Sequence, residues 1–271
     1  MSKIIAVTNQ KGGVGKTTTA VNLAAALSAA NRHTLLIDFD PQGNATMGSG
    51  VDKHQLEHSL IDVIKEEVDM QSILLPTKAG YDIAPSNRDL ASAEMYLPQV
   101  NRREQKLLQA LVKIRGRYDY IIIDCPPSLG MLTINALVAA HSVLIPVQCE
   151  YYALEGLSAL LETVTTIQQS VNQKLIIEGI LRTMYDARNR LTNEVSEQLT
   201  KHFADKLFTT TVPRNVRLAE APSFGLPGIL YDRQSSGAVA YQQLAEEMLQ
   251  RRQFEFTQKE NMHGEETSAG S

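Results

Sequence analysis

An apolar run, Lys3–Thr8 (KIIAVT), leads directly into the glycine-rich segment Gln10–Thr19 (QKGGVGKTTT), which opens a stretch of helical length and spacing, Lys16–Ala30. Strand, glycine loop and helix in that order form the cradle for a polyphosphate. Gly12, Gly13 and Gly15 let backbone N–H groups turn inward around an anion, and the N-terminus of the helix adds positive dipole. In such a loop Lys16 reaches the β- and γ-phosphates, the Thr17 hydroxyl ligates Mg²⁺, and Thr18 is placed at the α-phosphate. The strip Lys11, Gly12, Gly13, Val14, Gly15, Lys16, Thr17 and Thr18 is therefore the expected nucleotide site. The usual spacing puts glycine five residues before Gly15; this chain has Gln10 there, followed by an extra lysine, Lys11. A turn that binds nothing is the competing reading. Six fixed letters at ordinary usage match by chance in about 10⁻⁵ of chains of this length, which favours nucleotide.

The remaining chain repeats the alternation. Thr34–Phe39, Tyr120–Asp124, Ser142–Val147 and Leu175–Leu181 are almost continuously Ile, Val and Leu, as strands covered on both faces are. Between and after them Arg103–Arg115, Leu154–Ser170, Thr192–Lys206 and Gly237–Arg251 have helical length and spacing. The expectation is an α/β fold, doubly wound, with a mostly parallel sheet flanked by helices. One domain is expected over 1–253. Residues 254–271, where aliphatic side chains run out, are expected to be a disordered tail.

Composition narrows the setting. No apolar run approaches the ~20 residues of a membrane span, and MSKIIAVTNQ enters a strand without a signal-peptide pattern. Two cysteines, Cys125 and Cys149, make neither a disulfide framework nor a four-ligand zinc site. These features point to the cytoplasm, with both cysteines as small core residues. A net charge of -4 means that any basic binding face must be local.

Two strands end in carboxylates. IIIDCPPSLG puts Asp124 at the end of an apolar run, where it would support Mg²⁺ or its waters, and Pro126 and Pro127 stiffen a following loop suited to sensing a γ-phosphate. LLIDFDPQGNAT puts Asp38 and Asp40 after the second strand. Strand-end carboxylates are often plain loop caps; their company with a phosphate loop in one sheet argues for chemistry at Asp124 and Asp40. Asp38 stays open between the two.

With lysine at both Lys11 and Lys16, the loop resembles the deviant Walker A family of P-loop NTPases, which includes ParA/Soj partition ATPases, MinD and the nitrogenase iron protein. The segments DFDPQGNAT, DCPPSLG, PVQCEYYALEG, TMYDAR and PRNVRLAEAPSFGLP resemble the ParA/Soj branch, over nearly all of residues 3–250. With the loop in the first dozen residues no N-terminal helix-turn-helix domain is expected; Cys125 and Cys149 lack the iron protein's surroundings, and RRQFEFTQKENMHGEETSAGS is not expected to act as a basic amphipathic membrane anchor.

The resemblance implies an ATPase switch. Lys11 would reach across an ATP-bound homodimer to the partner's phosphates. Lys16 and Asp124 would serve the catalytic centre, Asp40 would orient the attacking water, and Thr17, Asp40 and Asp124 would surround Mg²⁺. The loop with Pro213 and Asn215 would border the adenine. Glu150 would either touch nucleotide across the dimer or act as a helix-start carboxylate. The ATP dimer would bind double-stranded DNA non-specifically through Arg188 and Arg217, in a span from Arg182 to Arg217 with seven basic against four acidic residues, +3 locally. A ParB-like centromere-binding partner would stimulate hydrolysis and release the dimer from the nucleoid. A second basic cluster, Arg102 to Arg117, reads mostly as a solvated face. The alternatives are a MinD-type membrane-positioning ATPase and a relative that positions a protein cargo.

Overall fold

The computed structural model describes residues 2–268, with side chains as far as residue 254. Strands are β1 (Lys3–Val7), β2 (Thr34–Asp38), β3 (Leu75–Pro76), β4 (Asp82–Ala84), β5 (Tyr120–Asp124), β6 (Ser142–Gln148), β7 (Ile176–Tyr185) and β8 (Leu207–Pro213). Helices are α1 (Lys16–Ala29), α2 (Asn44–Gly48), α3 (Leu60–Ile64), α4 (Ala93–Tyr96), α5 (Lys106–Val112), α6 (Met131–Ala139), α7 (Ala153–Ser170), α8 (Arg190–Phe203), α9 (Val216–Glu220), α10 (Gly228–Tyr231) and α11 (Ser236–Ser268). The sheet has eight strands in the order β3-β4-β2-β5-β1-β6-β7-β8. All its pairings are parallel except β3 with β4.

The alternation of each strand's side chains divides the core. Ile4 and Ala6 of β1 face one layer, which includes α3 and α5 to α8; Ile5 and Val7 face the other, built from α1 and α11. Because both faces are covered, β2 and β5 are buried along their whole length, which is why they read as unbroken apolar runs. Ala20, Leu23, Ala24 and Leu27 bury α1 against the sheet. Its outer side is covered by Tyr241, Leu244 and Met248 of α11, and the Tyr241 hydroxyl meets Thr19 Oγ1 at 3.0 Å.

After β1 the chain travels to one edge, and after β5 it crosses to the other. The carboxyl end of β1 thus lies where the winding changes direction, the usual place for a ligand in such sheets. Register levels the ends of three strands there: Val7 pairs with Asp124, and Asp38 pairs with Asp124.

The expected α/β fold is present, with differences in detail. The continuous helix expected at 103–115 is shortened to α5 between two 3-10 turns. Arg102 takes a left-handed φ of 53°. The buried Asn135 accepts from the Leu107 N–H and donates to the Arg103 carbonyl, so a partner on α6 fixes where the helix begins. The short strands β3 and β4, the edge strand β8 and helix α6 are additions to the expected elements. α11 continues well past Arg251. The tail expected over 254–271 has its side chains beyond 254, and its residues 269–271 altogether, outside those described.

Candidate nucleotide site

The loop from Thr8 to Gly15 is tied down from three directions. Asn9 donates to the Pro146 carbonyl at 2.8 Å and accepts from the Lys11 N–H at 3.0 Å. Thr183, on β7, donates its hydroxyl to the Val14 carbonyl at 2.8 Å. Lys16 Nζ folds back to the Lys11 carbonyl at 3.2 Å. Gly13 and Gly15 hold φ of 75° and 86°, conformations that strain any residue with a Cβ. Gly12 has no such φ and open space around it, so its part is clearance rather than backbone freedom. No side chain caps α1, which leaves its first N–H groups to a ligand.

Lys16 is only 7% exposed. Burial pulls its pKa below the usual lysine value, while the charges of Asp124 and Asp40 pull the other way. Asp124 is fully buried, and neither of its carboxylate oxygens has a hydrogen-bond partner of ordinary geometry. Burial, then the adjacent Asp38 charge, push its pKa well up, with Thr17 and Lys16 opposing. A buried carboxylate with both oxygens orphaned is costly unless a cation or its water shell completes it. That fits Mg²⁺ held by the Thr17 hydroxyl and phosphate oxygens with Asp124 behind them. Among the described residues no three His, Cys, Asp or Glu side chains could hold a metal by themselves, so such an ion would depend on the nucleotide.

Asp38 and Asp40 part company. Asp38 Oδ2 accepts from both the N–H and the hydroxyl of Thr46, at 2.7 and 2.6 Å. Its pKa is raised to about 7, mainly by burial, against the Thr46 bonds. Asp38 is therefore an anchor for α2. The Thr46 hydroxyl in turn accepts from the Ser86 N–H, and the Ser86 hydroxyl donates to the Asp40 carbonyl. This chain of bonds fixes the Asp40 backbone. One Asp40 carboxylate oxygen accepts from the Gln42 N–H at 2.9 Å, which leaves the other free of any bond described.

Lys11 pairs with Glu150 of its own chain, Nζ to Oε2 at 2.7 Å, both about one-third to one-half exposed. Glu150 precedes α7 without capping it. Pro213 and Asn215 line a cavity of about 170 Å³ with Gly15, Thr18, Met184 and Leu218. Met184 takes a left-handed φ of 49° there, an uncommon conformation for such a side chain. Asn215 also caps α9 by accepting from the Leu218 N–H at 3.1 Å.

Arg188 and Arg217 both come after the carboxyl ends of neighbouring strands, since Tyr185 pairs with Pro213. Each has an acidic neighbour. Arg188 meets Asp186 at 2.9 Å, and Arg217 meets Glu220 at 2.9 Å and Asp232 at 3.5 Å. In the second basic cluster Lys106 pairs with Glu66, Lys113 with Asp69 and Arg103 with Glu104. Cys125 and Cys149 are buried and free.

A family profile described as an AAA domain matches residues 2–177. The sporulation initiation inhibitor protein Soj of Bacillus subtilis is 54% identical, over 92% of this chain and 98% of its own. The chromosome-partitioning ATPase Soj of Treponema pallidum is 48% identical, over 93% of this chain and 98% of its own. This chain belongs to the Soj/ParA family of chromosome-partitioning ATPases. Among solved structures, a Mycobacterium smegmatis protein described as cobyrinic acid a,c-diamide synthase, with bound ADP and magnesium, superimposes with a TM-score of 0.83 at 38% identity, over 93% of this chain and 96% of its own.

The Soj/ParA ATPase site contains contacts that no local motif announces. Thr183 and Val14, or Ser86 and Asp40, are brought together only by strand order. The Lys11–Glu150 pair joins two segments that each stood out in the sequence, yet nothing in their spacing linked them.

Proposed function

We propose that this Soj/ParA ATPase is a DNA-partitioning switch in which ATP closes a homodimer, the dimer binds double-stranded DNA without sequence preference, and hydrolysis releases it. The observation that carries the catalytic part is the orphaned, buried Asp124 carboxylate beside Lys16, level with the ends of β1 and β2. In this reading Lys16 and the N–H groups of Lys11–Thr18 bind the phosphates, and the cavity by Pro213 and Asn215 takes the base. Mg²⁺, held at Thr17 with Asp124 and Asp40 around it, would neutralise charge on the β- and γ-oxygens. Asp40 holds the attacking water in line and accepts its proton; a bond forms from the water oxygen to the γ-phosphorus as the bond to the β,γ-bridging oxygen breaks, giving ADP and phosphate.

Lys11 is free to change partners at little cost, because a half-exposed ion pair such as that with Glu150 contributes about 0–1 kcal/mol. Exchanging Glu150 for the triphosphate of a second subunit would tie dimerisation to ATP. Lys11→Ala is expected to keep ADP affinity within about twofold and to remain monomeric with ATP by light scattering. An ATP-dependent dimer of that variant contradicts the role.

For DNA the supporting features are the place of Arg188 and Arg217 after the ends of neighbouring strands and the partition roles named for the relatives. Their carboxylate neighbours weaken the patch in one subunit, so two copies are needed for useful avidity. With four arginines per dimer at phosphates, log affinity should fall with log salt at a slope of about -3.6. Arg188→Glu with Arg217→Glu is expected to weaken binding to random duplex at least tenfold at unchanged ATPase rate. Unaltered binding moves the DNA face elsewhere. A ParB-like partner as stimulator, a cytoplasmic and nucleoid-associated location, and a single catalytic domain over 1–253 complete the proposal. Among the described residues no helix is long and apolar enough to cross a membrane. The names of the relatives favour a chromosomal cargo over a membrane or protein one.

A further inference from the structure

Helix α6 begins immediately after the loop that follows Asp124, and it begins without a cap of its own. Its N-cap is Gly130, which offers no side chain. The first N–H groups of a helix need acceptors, and here they come from a distant element. Glu94, on α4, accepts from the Met131 N–H at 2.8 Å with one carboxylate oxygen and from the Leu132 N–H at 3.2 Å with the other. A carboxylate in that position also meets the positive end of the helix dipole.

The fit depends on the glycine. A Cβ on Gly130 would meet Glu94 Oε1 and, at 2.6 Å, Oε2, so the end of the Glu94 side chain would have to swing away from the two N–H groups, although the φ of Gly130, -86°, suits any residue. Glycine is present at this position for closeness rather than for backbone freedom. Glu94 is itself held by its neighbours, since Leu90, Ala93 and Leu97 on either side are fully buried in the core. The loop is thus fixed at both ends. At the start, the Cys125 N–H donates to the Val7 carbonyl at 3.2 Å; at the end stands the Glu94 clamp. Between them Pro127, Ser128 and Leu129 are exposed, and the Thr133 hydroxyl donates to the Ser128 carbonyl at 2.6 Å.

We propose that Glu94 is a positioning residue for ATP hydrolysis: by clamping the start of α6 it sets the far end of the loop from Asp124, the loop that the sequence suits to sensing the γ-phosphate of the ATP site proposed above. The inference rests on that reading. Glu94 is not one of the residues assigned above to the nucleotide or to Mg²⁺; its carboxylate is engaged by the Met131 and Leu132 N–H groups. Its effect is on the step that needs the loop in place, not on the Lys16 cradle that binds the diphosphate.

The test is a double-mutant cycle on Glu94→Ala and Gly130→Ala in the full chain, read as kcat for ATP and as Kd for Mg-ADP, with thermal melting to confirm folding. Each single variant is expected to lower kcat about tenfold and to leave the ADP Kd within twofold. With Glu94 replaced by alanine the three atoms nearest to the Gly130 methyl group are gone, so the double variant should be no slower than Glu94→Ala alone. An unchanged kcat in Glu94→Ala overturns the proposal. So do multiplicative losses in the double variant, or a fall in ADP affinity parallel to kcat. Wild-type protein that binds no ADP and hydrolyses no ATP would instead remove the underlying ATP-site reading, so the two failures are distinguishable.

Discussion

Lys16→Ala is expected to raise the Kd for both ATP and ADP at least about 100-fold, equivalent to ~2.8 kcal/mol, while the protein still folds. The magnitude follows from burial. Lys16 is nearly enclosed and lies in the field of two carboxylates, Asp124 and Asp40. Charge-assisted bonds to phosphate are stronger than neutral ones, and stronger again where water is excluded. Removing the lysine also takes away the cation that offsets the buried Asp124 carboxylate. Titration by calorimetry measures this directly. Nucleotide affinity unchanged from wild type would disprove the phosphate-cradle assignment.

The second large effect is expected at Asp40. Its backbone is held through the Ser86 hydroxyl, and one carboxylate oxygen is engaged by the Gln42 N–H. Asp40→Ala should retain ATP affinity and lower kcat by about 10²–10⁴, the range that a positioned proton acceptor contributes. Because ATP would then persist in the dimer, the same variant should remain on DNA after wild-type protein has dissociated. Turnover at the wild-type rate would show that the water is oriented by another group. Asp38→Ala would fail differently: losing the acceptor for both Thr46 donors should loosen α2 and lower the melting temperature.

The residues that announced the site did so because phosphate chemistry demands a fixed local spacing. In the proposed site Lys11 to Thr18 are contiguous so that they can wrap an anion, and Asp124 ends a buried strand so that it can reach it. The α/β alternation was readable for the same kind of reason: strands covered on both faces are nearly all apolar between their ends. Strand β8 escaped notice because it lies at the sheet edge and carries the half-exposed run Thr209–Thr211. Contacts set by strand order were also hidden. In DFDPQ the sequence favours Asp40 for chemistry and leaves Asp38 open; Thr46, brought in by α2, shows Asp38 as an anchor, and Ser86, in the turn after β4, holds the Asp40 backbone. The Glu94 clamp illustrates the same limit, since neither its own segment nor Gly130 carries a motif that points to the other.

ATP, by closing a dimer, is expected to create a DNA-binding surface that the separate subunits lack. This is tested most directly by binding to random double-stranded DNA with ATP, with ADP and without nucleotide, each at two salt concentrations. The predicted result is binding with ATP alone, weakening with salt at a slope of about -3.6 in the logarithms. Equal binding in all three states, or none in any state while ATP is still bound, would contradict it.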